Sequence, residues 1–175
     1  VAKRLWGVYV FLTVLLIGLL WIGPMNLYDA VNHALTAIST GGYSTKNASI
    51  AYWHSAYIEY VITIFMFIGA TNITLIYFCL NGNIKKLFFD EEFRWFFWFV
   101  LIMTGITTGW IMYHGFFTDF PTAFRQAAFQ VVTLVSTCGF ATENYIPWGP
   151  FFWMIALILM FICGCAGSTC GGLKM

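Results

Sequence analysis

Along this chain, long uncharged apolar runs alternate with short half-polar ones, and the alternation occurs twice. Residues 5–23 carry no charge and are long enough to cross about 30 Å of hydrocarbon as a helix; Pro24 ends the run. In residues 28–39, apolar Ala30, Ala34, Leu35, Ala37 and Ile38 lie among polar Asn32 and His33, which predicts a helix too short to span. Such a helix can enter a bilayer and stop where the following backbone is shielded by protein or lines a watery cavity. Residues 46–55 are polar and turn-rich, and residues 56–80 predict a second spanning helix with Glu59 near its outer end. Asn81, Gly82 and Asn83 close that helix. Lys85, Lys86, Asp90, Glu91, Glu92 and Arg94 then make residues 85–94 a solvated loop. The plan recurs: a span over 95–113, a short helix over 120–136, a polar stretch with Pro147, and a further span from Pro150.

A heptad closes each short helix. Ser39-Thr40-Gly41-Gly42-Tyr43-Ser44-Thr45 is echoed 97 residues later by Ser136-Thr137-Cys138-Gly139-Phe140-Ala141-Thr142. The two share Ser, Thr, Gly and Thr at positions one, two, four and seven, with an aromatic residue at five. Chance matches are easy in glycine-rich sequence, but not at the same place in two identical topological plans. The chain therefore reads as two units, residues 1–84 and 95–175, joined by the 85–94 loop. Internal repeats of this kind mark many transport proteins, whose polar sites lie where repeats meet.

Composition settles the solvent. Only 9% of residues are charged and 61% are hydrophobic, with a mean hydropathy of +0.81, against roughly 25% charged in soluble domains. The fold class is all-α integral membrane, with lipid as its surroundings and aromatic side chains suited to the interfacial belts. A net charge of +1 offers nucleic acid no basic field. The odd number of cysteines argues against a disulfide framework. Cys163, Cys165 and Cys170 have no His, Asp or Glu near them, so close helix packing explains them better than a metal cluster. His33, His54 and His114 show no metal-ligand spacing, no Ser–His or Asp–Asp pair falls at one depth in the spans, and neither enzyme activity nor an organic cofactor is expected. The chain opens without Met and ends in Gly-Gly-Leu-Lys-Met inside an apparent membrane segment, as expected of a piece of a longer protein. Lys3, Arg4, Lys85, Lys86, Arg94 and Lys174 fall on one side, and only Lys46 and Arg125 on the other. The positive-inside rule puts the first side in the cytoplasm, so both short helices and both heptads enter from outside.

A cation crossing a bilayer must exchange its hydration shell for fixed oxygens, and backbone carbonyls can supply them. Turning successive carbonyls one way needs backbone angles that glycine adopts freely, and Gly42 and Gly139 hold the matching position. Thr40 and Thr137 add hydroxyls. The C-terminal end of each short helix, partly negative, favours a cation there. Neither heptad contains a carboxylate, which suits a monovalent ion. Two competing readings are small residues that merely let helices pack and a phosphate-cradling loop. Packing does not account for the aromatic, the preceding helix or the repetition. A phosphate loop would end in Lys-Ser/Thr and follow a strand.

With these motifs the chain resembles the membrane subunits of the Trk/Ktr/HKT superfamily of potassium transporters, the bacterial TrkH type most closely. The family's filters have a Thr-x-Gly-aromatic core like Thr40 to Tyr43 and Thr137 to Phe140. Asn47-Ala48-Ser49-Ile50, Asp90 to Phe93 with Arg94, and the run from Gly164 to Lys174 add to the likeness. The resemblance implies a potassium-channel-like architecture of tandem helix–pore helix–filter loop–helix units, four around one pore, of which this chain holds the second and third. It implies potassium held by the filter carbonyls of Thr40, Gly41, Gly42, Tyr43, Thr137, Cys138, Gly139 and Phe140. It further implies multi-pass placement in the bacterial cytoplasmic (inner) membrane, a homodimer, and a cytoplasmic nucleotide-binding regulatory subunit of TrkA type. The function implied is potassium uptake. The alternatives are a sodium or non-selective monovalent cation transporter of the same superfamily, or a non-transporting membrane scaffold.

The last stretch also has a reading of its own. Glycines in helices each cost about 1 kcal/mol against Ala, so the residues from Gly164 to Gly172 should break the last helix, expected over 150–175. The resemblance implies that this break, Gly164, Cys165, Ala166, Gly167, Ser168, Thr169, Cys170, Gly171 and Gly172, is a gate loop blocking the pore. The family usually has Gly where Cys170 stands and Thr or Gly where Cys138 stands. Thr71, Asn72 and Thr74 are expected to hydrogen-bond between helices, Asp29 and Glu59 to be solvated helix ends, and Arg125 to pair locally or with headgroups.

Overall fold

A computed structural model describes residues 2–174; Val1 and Met175, which the two expected units include, lie outside the described residues. Helix α1 (Ala2–Ile22) and helix α6 (Glu91–Tyr113) are both long and apolar enough to cross a membrane. On α1, Val8, Leu12, Leu16 and Leu20 form one buried stripe, the four-residue spacing placing them on a single helix face. Helix α2 (Leu27–Ile38) packs against it. Ala30, Ala34 and Ala37 on α2 are fully buried, and their small side chains let the two backbones approach closely. Asn26 starts α2 by accepting the Asp29 amide at 2.7 Å, an N-cap that satisfies one of the helix's free donors.

The second unit repeats this hairpin with α6 and helix α7 (Phe120–Val135). Pro121 stands in the first turn of α7, where no intrahelical donor is needed, and Ala123 and Ala127 are fully buried. Thr107 and Thr108 on the α6 side of the contact donate to the carbonyls of Met103 and Thr104, at 2.8 and 2.7 Å. These two hydroxyls are satisfied within their own helix, whereas Gln130 Nε2 and Thr133 Oγ1 on α7 are buried with no hydrogen-bond partner among the described residues.

The helix expected over 56–80 is two helices. Helix α3 (Ala56–Ala70) lies against both α2 and α7 and so joins the units. Helix α4 (Ile73–Leu80) leaves it at 109°. The cause is local: Thr71 and Asn72 are extended, and the Asn72 side chain accepts the Thr74 amide at 2.9 Å, capping a new helix in competition with the old one. Asn72 therefore caps within its own chain segment instead of bonding to another helix. The 85–94 loop is also more ordered than expected. It contains helix α5 (Ile84–Phe89), and α6 begins at Glu91 rather than at 95. Asp90 accepts the Phe93 amide at 3.0 Å, and Glu91 and Glu92 favour the positive end of the helix dipole.

The final span is shorter still. Helix α8 (Gly149–Phe161) has 13 residues and gives way to strand β1 (Ile162–Cys163), which pairs in parallel with strand β2 (Leu173–Lys174). Ile162 stands opposite Leu173, and Cys163 opposite Lys174. The broken helix expected over 150–175 is thus a helix that stops at Phe161, followed by a closed loop. That loop enters the gap between α3 and α4: Cys165 N–H donates to the Ala70 carbonyl at 2.9 Å, and Ile73 N–H to the Gly167 carbonyl at 3.3 Å. Groups left free by one broken helix are satisfied by the other, as irregular backbone at membrane depth requires. A Cβ at Gly164 would strike the Ala70 carbonyl. Gly164→Ala should therefore destabilise the protein by about 1–3 kcal/mol, measured as a lower Tm. Gly109→Ala, on a face of α6 with no neighbour within 4 Å, should not.

Candidate functional site

Both heptads leave their helices by the same path. The amides of Gly41 and Gly42 both donate to the Thr36 carbonyl, at 2.8 and 3.3 Å; those of Cys138 and Gly139 both donate to the Thr133 carbonyl, at 3.0 and 3.3 Å. Thr40 N–H reaches the Ala37 carbonyl at 3.2 Å and Thr137 N–H the Leu134 carbonyl at 3.0 Å. Each of these donors turns back into the end of its own helix. The carbonyls of Thr40, Gly41, Gly42, Thr137, Cys138, Gly139 and Phe140 accept no hydrogen bond among the described residues.

The backbone angles match as well. Thr40 has φ 53° and Thr137 φ 54°, and Gly42 and Gly139 have φ 65° and 88°. The two glycines satisfy the sequence expectation of unusual angles. The two threonines were not expected there, because a β-branched residue in the left-handed region is an outlier that persists only where its surroundings impose it. The imposing contacts lie in the glycine-rich loop. The Thr40 hydroxyl shares its proton between the Ser39 carbonyl at 2.7 Å and the Thr169 carbonyl at 3.0 Å, and the Thr137 hydroxyl accepts the Gly171 amide at 3.1 Å. Thr169 is itself held to the Gly69 carbonyl through its amide and its hydroxyl, at 3.3 and 3.1 Å. Glu92 accepts the Ala166 amide, and Lys174 donates to the Cys170 carbonyl and, at 3.0 Å, to the Ser168 hydroxyl. Cys170 is buried and lies outside the left-handed region, so the loop takes a side chain there.

The two heptads also touch each other. A Cβ at Gly42 would strike the Cys138 carbonyl. The Cys138 thiol points at the carbonyls of Ala37 and Thr36, 3.6 and 3.8 Å away, so this cysteine ties the second heptad to the end of α2. Phe140 is buried and stacks on His33 with ring centroids 5.8 Å apart. The equivalent Tyr43 is 78% exposed, and its carbonyl faces the Thr36 hydroxyl at 2.9 Å.

Composition and spacing alone left several polar residues unassigned. His33 Nδ1 lies 2.7 Å from the Asp29 carbonyl, which can only accept, so Nδ1 carries the proton and Nε2 accepts from the Ser44 hydroxyl at 2.8 Å. Asp29, expected at a solvated helix end, is buried. It accepts the Thr45 hydroxyl at 2.6 Å and stands 3.9 Å from Lys46. Glu59 is likewise buried, and its partner is Arg125 of the other unit, at 2.7 Å. Arg125 therefore pairs across units rather than locally, because α3 packs on α7. Applying the 97-residue period to α2 and α7 gives the missed signal, since it aligns Asp29 with Gln126 and Thr45 with Thr142.

The chain as a whole is similar to known proteins. The TrkH family profile, described as a cation transport protein, matches residues 1–175. The chain is 39% identical over 175 residues to the Trk system potassium uptake protein TrkH of Salmonella typhimurium, covering 99% of this chain and 36% of that protein. It is 33% identical over 176 residues to the Trk system potassium uptake protein TrkG of Escherichia coli, again covering 99% of this chain and 36% of the relative. The crystal structure of the potassium transporter TrkH from Vibrio parahaemolyticus superposes with a TM-score of 0.94 at 35% identity, over 99% of this chain and 38% of that one. The chain thus spans about 36% of the length of these curated relatives. Matched from end to end by the family profile, with two apolar helices long enough to span, it belongs to the TrkH family of membrane cation transport proteins.

Proposed function

We propose that residues 40–43 and 137–140 are two walls of a cation filter, and that the complete protein takes up potassium through it. The observation that carries this reading is the division of labour in the two heptads. The amides of residues 40–42 and 137–139 are consumed by the ends of the preceding helices, while the carbonyls of residues 40–42 and 137–140 are left unclaimed among the described residues. Carbonyl oxygens in fixed positions can replace an ion's water, and the partly negative helix ends behind them favour positive charge. No carboxylate belongs to either heptad, which fits a monovalent ion. The relatives' names, Trk system potassium uptake proteins, supply the ion.

In this reading residues 164–172 form the gate. The loop bonds to the hydroxyls of Thr40 and Thr137, so it stands at the inner mouth of both filters at once, with Glu92 and Lys174 as its outer anchors. The protein works as a multi-pass subunit of the bacterial inner membrane, with a further pair of pore units completing the ring. A second copy and a nucleotide-binding TrkA-type regulator are its partners.

Two outcomes test this reading in a complete transporter. Gly139→Ser has room for its side chain but places a Cβ at φ 88°, a conformation costing about 1–2 kcal/mol. The rubidium-to-sodium uptake ratio should fall about tenfold, as expected for a loss near 1.4 kcal/mol; an unchanged ratio removes the filter assignment. Deleting residues 164–172 should raise basal rubidium flux severalfold. Glu92→Ala, which frees only the Ala166 anchor, should raise it less. Flux at or below the parent level in the deletion contradicts a gate there.

A further inference from the structure

We propose that Glu59, on the outgoing helix of the first unit, is a positioning residue for the filter of the second; this rests on the filter reading above. Glu59 is 6% exposed within an otherwise apolar helix, and a carboxylate in such a place needs partners. Its Oε2 takes two, Arg125 Nε at 2.7 Å and Gln126 Nε2 at 3.2 Å, both on α7. Gln126 is 3% exposed. Its remaining amide atom, Oε1, accepts the hydroxyl of Thr142, the last residue of the second heptad. An amide donates through nitrogen and accepts through oxygen, so the carboxylate decides which way Gln126 faces and therefore what Thr142 meets. A relay of carboxylate, amide and hydroxyl thus runs from α3 of one unit to the outer end of the other unit's filter.

The first unit has a shorter version of the same device. Asp29 occupies the position of Gln126 one period earlier, and its Oδ1 accepts the Thr45 hydroxyl directly at 2.6 Å. Lys46 stands 3.9 Å from its other oxygen, as Arg125 stands beside Glu59. The first filter is therefore held by an anion of its own pore helix. The second has an uncharged glutamine at that place and uses the anion of its neighbour. Filter geometry in the second unit depends on how α3 of the first packs against α7. Displacing α3 therefore moves a filter it does not belong to. The shared seventh-position threonine has the same task in both heptads: its hydroxyl fastens the outer end of the filter to a side chain of the preceding pore helix.

The test uses a complete transporter carrying this segment, with the rubidium-to-sodium uptake ratio as the readout, since a ratio does not depend on how much protein folds. Glu59→Ala, Thr142→Val and the double variant are compared, with Gly139→Ser as the filter control. Each single change should lower the ratio about three- to tenfold, and the double no further than the larger single, because groups in one network do not act independently. Effects that multiply in the double overturn the relay. So does an unchanged ratio in Glu59→Ala beside a changed one in Gly139→Ser. An unchanged ratio in Gly139→Ser itself overturns the filter reading instead. Should Glu59→Ala fail to reach the membrane, Gln126→Leu cuts the same relay and keeps the Glu59–Arg125 pair. Its ratio should fall alike, and no fall contradicts the proposal.

Discussion

Backbone that leaves a helix inside a membrane must satisfy its donors without water, and this constraint organises the molecule. Each heptad meets it by turning consecutive amides onto one carbonyl, that of Thr36 or Thr133. The turn needs a left-handed residue directly after the helix, and threonine fills that place in both units. Threonine is sterically poor there, but glycine would bring no hydroxyl. The Thr40 and Thr137 hydroxyls are the attachment points for the loop of residues 164–172. A strained residue is thus used where a contact is required of its side chain.

The same requirement accounts for the two broken spans. The first unit's second span breaks at Thr71 and Asn72, and α8 stops at Phe161. Either break alone would leave amides and carbonyls unpaired in a medium where each costs several kcal/mol. Together they bond to each other, through Ala70 with Cys165 and Ile73 with Gly167, and glycine at 164 lets the two backbones approach. The two heptads, the bend in one unit and the loop in the other are consequently one connected polar seam through an apolar protein. Arg125 with Glu59 and Cys138 with the α2 carbonyls fasten the units at other points along that seam.

Much of this was legible in the sequence, and the reasons for the rest are physical. Hydropathy and the 97-residue repeat located the four long apolar runs, the two short helices and both heptads, because those signals are periodic and local. The bend at Asn72 was missed because its cap is an ordinary polar residue whose effect depends on the loop lodged beside it. The left-handed angles at Gly42 and Gly139 followed from residue type, whereas those at Thr40 and Thr137 run against it and come from tertiary contacts. Glu59, Asp29 and Arg125 read as solvated or locally paired because charge near a helix end usually is; only the packing of α3 on α7 shows that two of them meet. Cys138 meets carbonyls of another helix about a hundred residues away in sequence, which no local pattern reveals.

The central claim is that the carbonyls left free in the two heptads hold the travelling ion. Anomalous diffraction from crystals of a complete transporter grown with rubidium measures this directly. The account predicts rubidium peaks flanked by the carbonyls of residues 40–42 and 137–140, absent when lithium replaces rubidium. Rubidium bound elsewhere along the pore, with those carbonyls hydrogen-bonded to protein, would contradict it.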